Sequence, residues 1–240
     1  MHNAAFRTLG LDWTYELRDV SPDELGAAVA ALRAPDVAGA NVTIPHKRAV
    51  MELLDLLDPQ ALRARAVNTI VNHQGRLAGS NTDVDAIRGA IAELGVEPHG
   101  AQVLILGAGG SARAAAAALD GAHLHFASRH PEDLDLPGSA IAWDHPSLPK
   151  LSRAADLLIN ATPLGRRGEM PIRPAALPRR GAVIDLVYVT GGTPLVRKAR
   201  TLGLRVADGW GMLLAQGALS FEAWTGRRAP IDAMRETLHP

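Results

Sequence analysis

The chain has 240 residues, 47% of them hydrophobic and 21% charged, with 25 basic residues balanced by 25 acidic ones. That is enough apolar chain for one large or two smaller domains, and a formal charge of zero offers no electrostatic footprint for nucleic acid or an anionic membrane. The lack of cysteine excludes disulfides and thiolate chemistry; with no apolar run of membrane-spanning length and no basic-then-apolar leader, a soluble cytoplasmic protein is expected.

In chain order, Ala5, Phe6 and Leu9 recur at helical spacing until Gly10, so the chain opens inside a helix with no strand ahead of it. Trp13–Val20 is predicted as a strand, Pro22–Arg33 as a helix capped by Ser21, and Ala38–Ile44 as a strand stopped by Pro45. Lys47–Leu57 is predicted as a helix with Val50, Leu53, Leu54 and Leu57 on one face. Thr69–Asn72 and Arg76–Gly79 flank "HQG" as a hairpin, Val84–Leu94 is a helix, and "GVEPHG" reads as a linker. A second series follows: the unbroken apolar strand Gln102–Leu106, a Gly-rich turn into an Ala-rich helix, strands at His123–Ser128, Asp156–Asn160 and Val183–Tyr188, a helix at Thr193–Leu202, a strand at Leu204–Ala207 and a helix at Gly211–Trp224. Alternation of strand and helix predicts parallel α/β sheets in two domains.

Gly107, Ala108, Gly109, Gly110, Ser111 and Ala112 form a Gly-x-Gly-x-x-Ala turn after a strand and opening a helix. In that context it reads as a dinucleotide site, with Gly107 for the tight turn, Gly109 for approach of a pyrophosphate, Ala112 for close packing, and the helix N-terminus for the anion. The next strand ends at Ser128, Arg129 and His130 with no acidic residue to hold the ribose of NAD. Arg129 suits a 2′-phosphate, which points to NADP; otherwise it is a solvated surface arginine.

Four polar residues stand out. Lys47 falls in the first turn predicted after "NVTIPHK", where the helix dipole would favour its neutral form and suit proton transfer; by itself it reads more readily as a surface lysine. Asp83, in "GSNTD", is a helix N-cap or a functional carboxylate. Asn68 precedes a strand. Gln216, between Leu213 and Leu219, is an edge residue or a ligand reader. His123 and His125 share one side of a strand without a completing ligand, so no metal site is expected.

Taken together, "NVTIPHK", "AVNT", "GSNTD", "LGAGGSARA", "NATPLG", "DLVY" and "GWGMLLAQGALSFEAWTG" occur in the order and spacing of the shikimate dehydrogenase family, which the chain resembles from its first residue to about Gly226. The resemblance implies a substrate domain over residues 1–83, a Rossmann NADP-binding domain over 84–210 and a helical segment over 211–240 returning to the substrate domain. It implies reversible reduction of 3-dehydroshikimate to shikimate, with NADP rather than NAD, by a monomer or homodimer. Lys47 and Asp83 match the family's catalytic pair. Thr43, Asn68, Asp83, Tyr188 and Gln216 match its substrate positions, and Asn160, Ala161, Thr162, Gly209 and Met212 match positions beside the nicotinamide. Alternatives are a dehydrogenase of quinate or another polyol acid, or a cofactor-binding protein without that activity.

Three departures accompany the resemblance. Asp133 stands where the family's NADP-type loop carries a second arginine, and Arg166 replaces a frequent methionine. The chain starts at "MHN", after the position of a first strand and a Ser-x-Ser-Pro loop whose hydroxyls bind the substrate carboxylate. Loss of two such hydrogen bonds is expected to cost on the order of 3–6 kcal/mol, roughly a hundred- to ten-thousandfold in shikimate affinity.

Overall fold

In the computed structural model, which describes residues 1–238, the chain divides into two units, Met1–Asp83 with Leu214–Pro240, and Val84–Leu213. Both boundaries fall inside helices, α4 (Thr82–Glu93) and α8 (Gly209–Thr225).

The first unit holds α1 (His2–Thr8), α2 (Leu25–Ala31), β1 (Gly39–Asn41), β2 (Leu56–Leu57), α3 (Pro59–Ala64), β3 (Thr69–His73), β4 (Arg76–Ser80) and α9 (Ile231–Glu236). Its sheet has the order β1-β3-β4-β2. β3 and β4 form an antiparallel hairpin whose turn residues Gln74 and Gly75 both take positive φ, the mirror-type turn that matches strand twist. β1 runs antiparallel to β3, and β2 parallel to β4. One core lies among Leu25, Val29, Val50, Val67, Ile70 and Leu77. A second joins Ala5 and Phe6 of α1 to Leu214, Ala218 and Phe221 of α8 and to Met234 of α9.

Several expectations fail in this unit. Its sheet is mixed and mostly antiparallel, not parallel, because β3 and β4 are joined by a tight hairpin, and the strand predicted over Ala38–Ile44 spans only Gly39–Asn41. Trp13–Val20 has no regular secondary structure. Its backbone is tied instead by a side chain, because Asn3 donates to the Tyr15 carbonyl at 3.0 Å and accepts from the Tyr15 N–H at 2.7 Å. That pairing satisfies the groups a ladder would have used. Lys47–Leu57 is not a helix: a 3₁₀ turn covers Ala49–Leu53, and the chain then extends into β2. The Asp55 N–H bonds the Leu77 carbonyl and the Asp58 N–H that of Gly79, so pairing with β4 outcompetes the helical period. Lys47 therefore precedes a 3₁₀ turn, and no α-helix dipole opposes its charge. Pro22–Arg33 also shortens, to a 3₁₀ turn at Pro22–Glu24 and then α2, with Glu24 reaching back to the Ser21 N–H and hydroxyl.

The second unit is a parallel sheet of β5 (Gln102–Leu106), β6 (His123–Ser128), β7 (Ser139–Ala142), β8 (Leu157–Asn160), β9 (Ala182–Asp185) and β10 (Arg205–Ala207), in the order β10-β9-β8-β5-β6-β7. Its helices include α5 (Gly110–Ala117), α6 (Leu148–Ala154) and α7 (Pro194–Thr201). The strand order reverses between β5 and β8, which opens a crevice at their carboxyl ends, the usual place for a ligand in a doubly wound fold. The strand predicted to reach Tyr188 stops at Asp185, and β7, α3, α6 and α9 have no counterpart in the sequence reading. The core gathers Leu104, Leu106, Leu158, Val183, Leu195 and Ala199. Among the described residues, no helix is long and apolar enough to cross a membrane.

Candidate active site

In the first unit, residues from three separated segments meet at one carboxylate. Lys47, in the turn after β1, donates from Nζ to Asp83 Oδ2 at 2.5 Å, with the two side chains only 14% and 18% exposed. Asp83 is the second residue of α4, not its cap, which frees its carboxylate from the helix end. Its other oxygen, Oδ1, accepts from Asn68 Nδ2 at 2.9 Å. Asn68 is buried, and its amide is engaged on both sides. Its Nδ2 also donates to Thr82 Oγ1, and its Oδ1 accepts the Thr82 N–H at 2.8 Å and the Thr69 hydroxyl at 3.0 Å. An ion pair this secluded needs hydrogen-bond partners besides each other, and Asn68 supplies one to Asp83.

The network continues into the sheet and α8. Asn41 donates to the Asn68 carbonyl at 3.1 Å and to Ser220 Oγ at 3.0 Å, and accepts from the Tyr15 hydroxyl at 3.1 Å. Burial raises the Tyr15 phenol above its ordinary value. His2 packs between Tyr15 and Trp224, with ring centroids 4.5 and 5.1 Å away. Burial, then the charge of the chain's amino terminus, lowers the His2 imidazole to about 4. Of the other residues expected here, Thr43 is exposed just after β1, and Gln216 is half-buried on α8, where its carbonyl accepts from Ser220. Lys47, Asn68 and Asp83 meet; Tyr188 belongs to the second unit, 43% exposed and packed on Trp210.

Asn41, Thr69, Thr82 and Ser220 were missed as members of the cluster. All four lie within motifs already singled out: Asn41 opens "NVTIPHK", Thr69 ends "AVNT", Thr82 sits in "GSNTD" and Ser220 in "GWGMLLAQGALSFEAWTG". Within that last motif nothing but its place four residues after Gln216 sets Ser220 apart.

In the second unit the Gly-rich turn sits at the crevice. Gly107 has φ +110°, and a Cβ there would stand 3.0 Å from the Ala161 carbonyl, so the carboxyl ends of β5 and β8 can approach only through glycine. Gly109 caps α5 and has open space on its Cβ side, the room a phosphate needs near the first N–H groups of the helix. Ala112, Ala114 and Ala115 are fully buried, which brings α5 close to the sheet. Ser128 is buried at the end of β6, and its hydroxyl accepts the His130 N–H at 3.3 Å; Arg129 and His130 are exposed. His130, Glu132 and Asp133 cluster on this exposed loop.

The loop after β8 is shaped from beneath. Asn160, fully buried, donates to the Leu164 carbonyl and to Asp185 Oδ1, both at 2.9 Å, while its own oxygen accepts from Thr162. The Thr193 hydroxyl donates to Asp185 Oδ2 at 2.5 Å, and the Val187 N–H to Oδ1 at 3.1 Å. Burial pushes the Asp185 carboxyl above its ordinary value despite those donors. The Asn160 side chain is thus committed to holding the loop, which leaves the Ala161 and Thr162 edge to face a ligand. Gly209 opens α8 against the 187–188 backbone, where a Cβ would lie 2.5 Å from the Val187 carbonyl carbon. Met212 is buried one turn on.

The sequence matches the family "Shikimate dehydrogenase substrate binding domain" over residues 1–70 and "Shikimate 5'-dehydrogenase C-terminal domain" over residues 209–239. It is 41% identical to a shikimate dehydrogenase (NADP(+)) of Desulforamulus reducens, covering 100% of this chain and 89% of that one. It is 43% identical to the enzyme of that name from Moorella thermoacetica, covering 99% and 86%. Among solved structures, shikimate 5-dehydrogenase of Thermus thermophilus in complex with NADP(H) and shikimate superposes with a TM-score of 0.87 at 35% identity, over 99% of this chain and 91% of that one.

Proposed function

The chain belongs to the shikimate dehydrogenase family, and from that premise we propose that it catalyses the reversible, NADP-dependent reduction of 3-dehydroshikimate to shikimate. The observation that carries this reading is the secluded Lys47–Asp83 pair, braced by Asn68. In our reading the first unit takes the substrate and the second the cofactor.

The fit of the second unit to NADP rests on the Gly107 approach, the open side of Gly109 and the N-terminus of α5. The Gly107–Ala112 turn would hold the pyrophosphate. Ser128, Arg129 and His130 would face the 2′-phosphate, and Ala161, Thr162, Gly209 and Met212 the nicotinamide end. When bound, the nicotinamide exchanges hydride with the substrate carbon.

The chain's own residues handle the proton. A hydroxyl being oxidised must lose its proton as hydride leaves the same carbon. Lys47 as the neutral amine takes that proton in oxidation, becoming the ammonium paired with Asp83, and as the ammonium returns it in reduction, acting as general base and general acid. Asp83 holds the Lys47 amine at one angle and presents its carboxylate edge to the substrate hydroxyls. Asn68 keeps that carboxylate from rotating. Thr43 and Gln216 offer further hydroxyl and amide contacts. Fixing these groups beforehand spares the reaction the entropy of assembling them. The reading also carries a cytoplasmic site of action and a monomer or homodimer, which light scattering would distinguish.

The test is steady-state oxidation of shikimate and quinate with NADP⁺ and NAD⁺. Shikimate with NADP⁺ is the expected best pair, and Lys47→Ala is expected to lower kcat far more than it weakens shikimate binding. A chain that binds NADP⁺ but oxidises quinate in preference, or a Lys47→Ala variant with parental kcat, would overturn the reading.

A further inference from the structure

Ser220 is a fully buried hydroxyl on the apolar stretch of α8, preceding Phe221. A serine within a helix usually turns back to the carbonyl four residues earlier or out to water. Ser220 has the Gln216 carbonyl within reach at 3.0 Å, yet three other polar atoms converge on its oxygen: Asn41 Nδ2 at 3.0 Å, Thr69 Oγ1 at 2.8 Å and Thr82 Oγ1 at 3.3 Å.

One obligate donor orients the Asn68 amide. The Thr82 backbone N–H can only donate, so the Asn68 atom 2.8 Å from it is the oxygen, and Nδ2 faces Asp83. Thr69 Oγ1 lies 3.0 Å from the same Asn68 oxygen and 2.8 Å from Ser220 Oγ, whose single proton has both Thr69 and the Gln216 carbonyl within reach. Contacts of hydrogen-bond length therefore link Ser220 to Thr69, Thr69 to Asn68, and Asn68 to Asp83 Oδ1 without a break. The other Asp83 oxygen is the one that accepts Lys47.

We propose that Ser220 is a positioning residue for the Lys47–Asp83 pair. Through Thr69 it fixes the Asn68 amide, and through Asn68 the rotation of the Asp83 carboxylate, so that α8 sets the geometry of a pair to which it contributes no residue. This rests on reading Lys47 and Asp83 as the proton-handling pair.

The test compares the parent with Ser220→Ala, Thr69→Val and the double variant by kcat and KM. It also measures the acetylation rate of Lys47 by limiting acetic anhydride, read by mass spectrometry against Lys150 and Lys198, the other lysines of the chain. Each single variant is expected to lower kcat about three- to tenfold, the worth of one net hydrogen bond, with KM for NADP⁺ unchanged. Lys47 should be acetylated faster by a similar factor, with the melting temperature near that of the parent. Because both changes break one run of hydrogen bonds, the double variant is expected to be no worse than the worse single. Additive losses, or an unchanged Lys47 acetylation rate, overturn the proposal. Labelling needs no turnover: a parent inactive on shikimate sinks the functional reading, while Lys47 protection still decides the positioning role. If Ser220→Ala does not fold, Thr69→Val, which keeps the side-chain shape, decides alone.

Discussion

Replacing Asp83 by asparagine tests the site where it is most constrained. Asparagine keeps the size of the side chain but removes its charge and turns one acceptor into a donor. Both partners of Asp83, Lys47 Nζ and Asn68 Nδ2, are donors in the present arrangement. The new amide therefore faces one of them donor to donor. Losing a hydrogen bond to a charged group costs about 1.5–3 kcal/mol, and breaking a buried ion pair about 3–5 kcal/mol. With side chains 14% and 18% exposed, the pair lies between the two cases, so about 2–4 kcal/mol is expected. Were all of it lost from the transition state, kcat for shikimate oxidation would fall roughly 30- to 1,000-fold. The assay is NADPH formation at saturating shikimate and NADP⁺, beside a thermal melt that reports the share falling on the fold. A kcat within about threefold of the parent, with an unchanged melt, would refute the claim that the pair is both secluded and catalytically engaged.

Gly107→Ala is expected to raise KM for NADP⁺ and to cost on the order of 1–3 kcal/mol of stability, because the new methyl stands 3.0 Å from the Ala161 carbonyl at a φ of +110°; parental KM and melting temperature would remove the close-approach argument. His2 supplies a pH prediction. Its folded value of about 4 lies below the ordinary 6.5, so between these values the unfolded chain binds more protons and stability falls as pH drops, by up to about 3 kcal/mol below pH 4. His2→Phe keeps a ring against Tyr15 and Trp224 and removes the buried Nδ1, which has no partner among the described residues. Denaturant unfolding from pH 7 to 4 should show a flatter slope than the parent; identical slopes would mean that His2 does not titrate in that window.

How far the site could be read from the sequence differs residue by residue. The Gly-rich turn was legible because its geometry is local: a strand, a turn with positive φ and a helix opening lie in one short stretch, and each leaves a residue preference. Lys47 and Asp83 stood out only within an ordered set of motifs, since a lone lysine or a helix-start aspartate has ordinary structural uses. No α-helix dipole acts on Lys47, because the Leu53–Leu57 stretch follows the edge of β4 instead of its own helical period. Trp13–Val20 alternates like a strand, but Asn3 captures the Tyr15 backbone from a distance no periodicity encodes.

Alternation of apolar strand and helix determined the parallel α/β architecture of the second unit, because burial on both faces of a sheet demands unbroken apolar strands and the glycine turn needs only its neighbours. Tertiary structure alone decided that Ser220 meets Thr69, 151 positions away, and that Asn41, Thr82 and Asn68 close around the same hydroxyls. A hydrogen bond between distant segments leaves no period in either of them, and a buried serine looks the same in sequence whether it braces a helix or aligns a carboxylate.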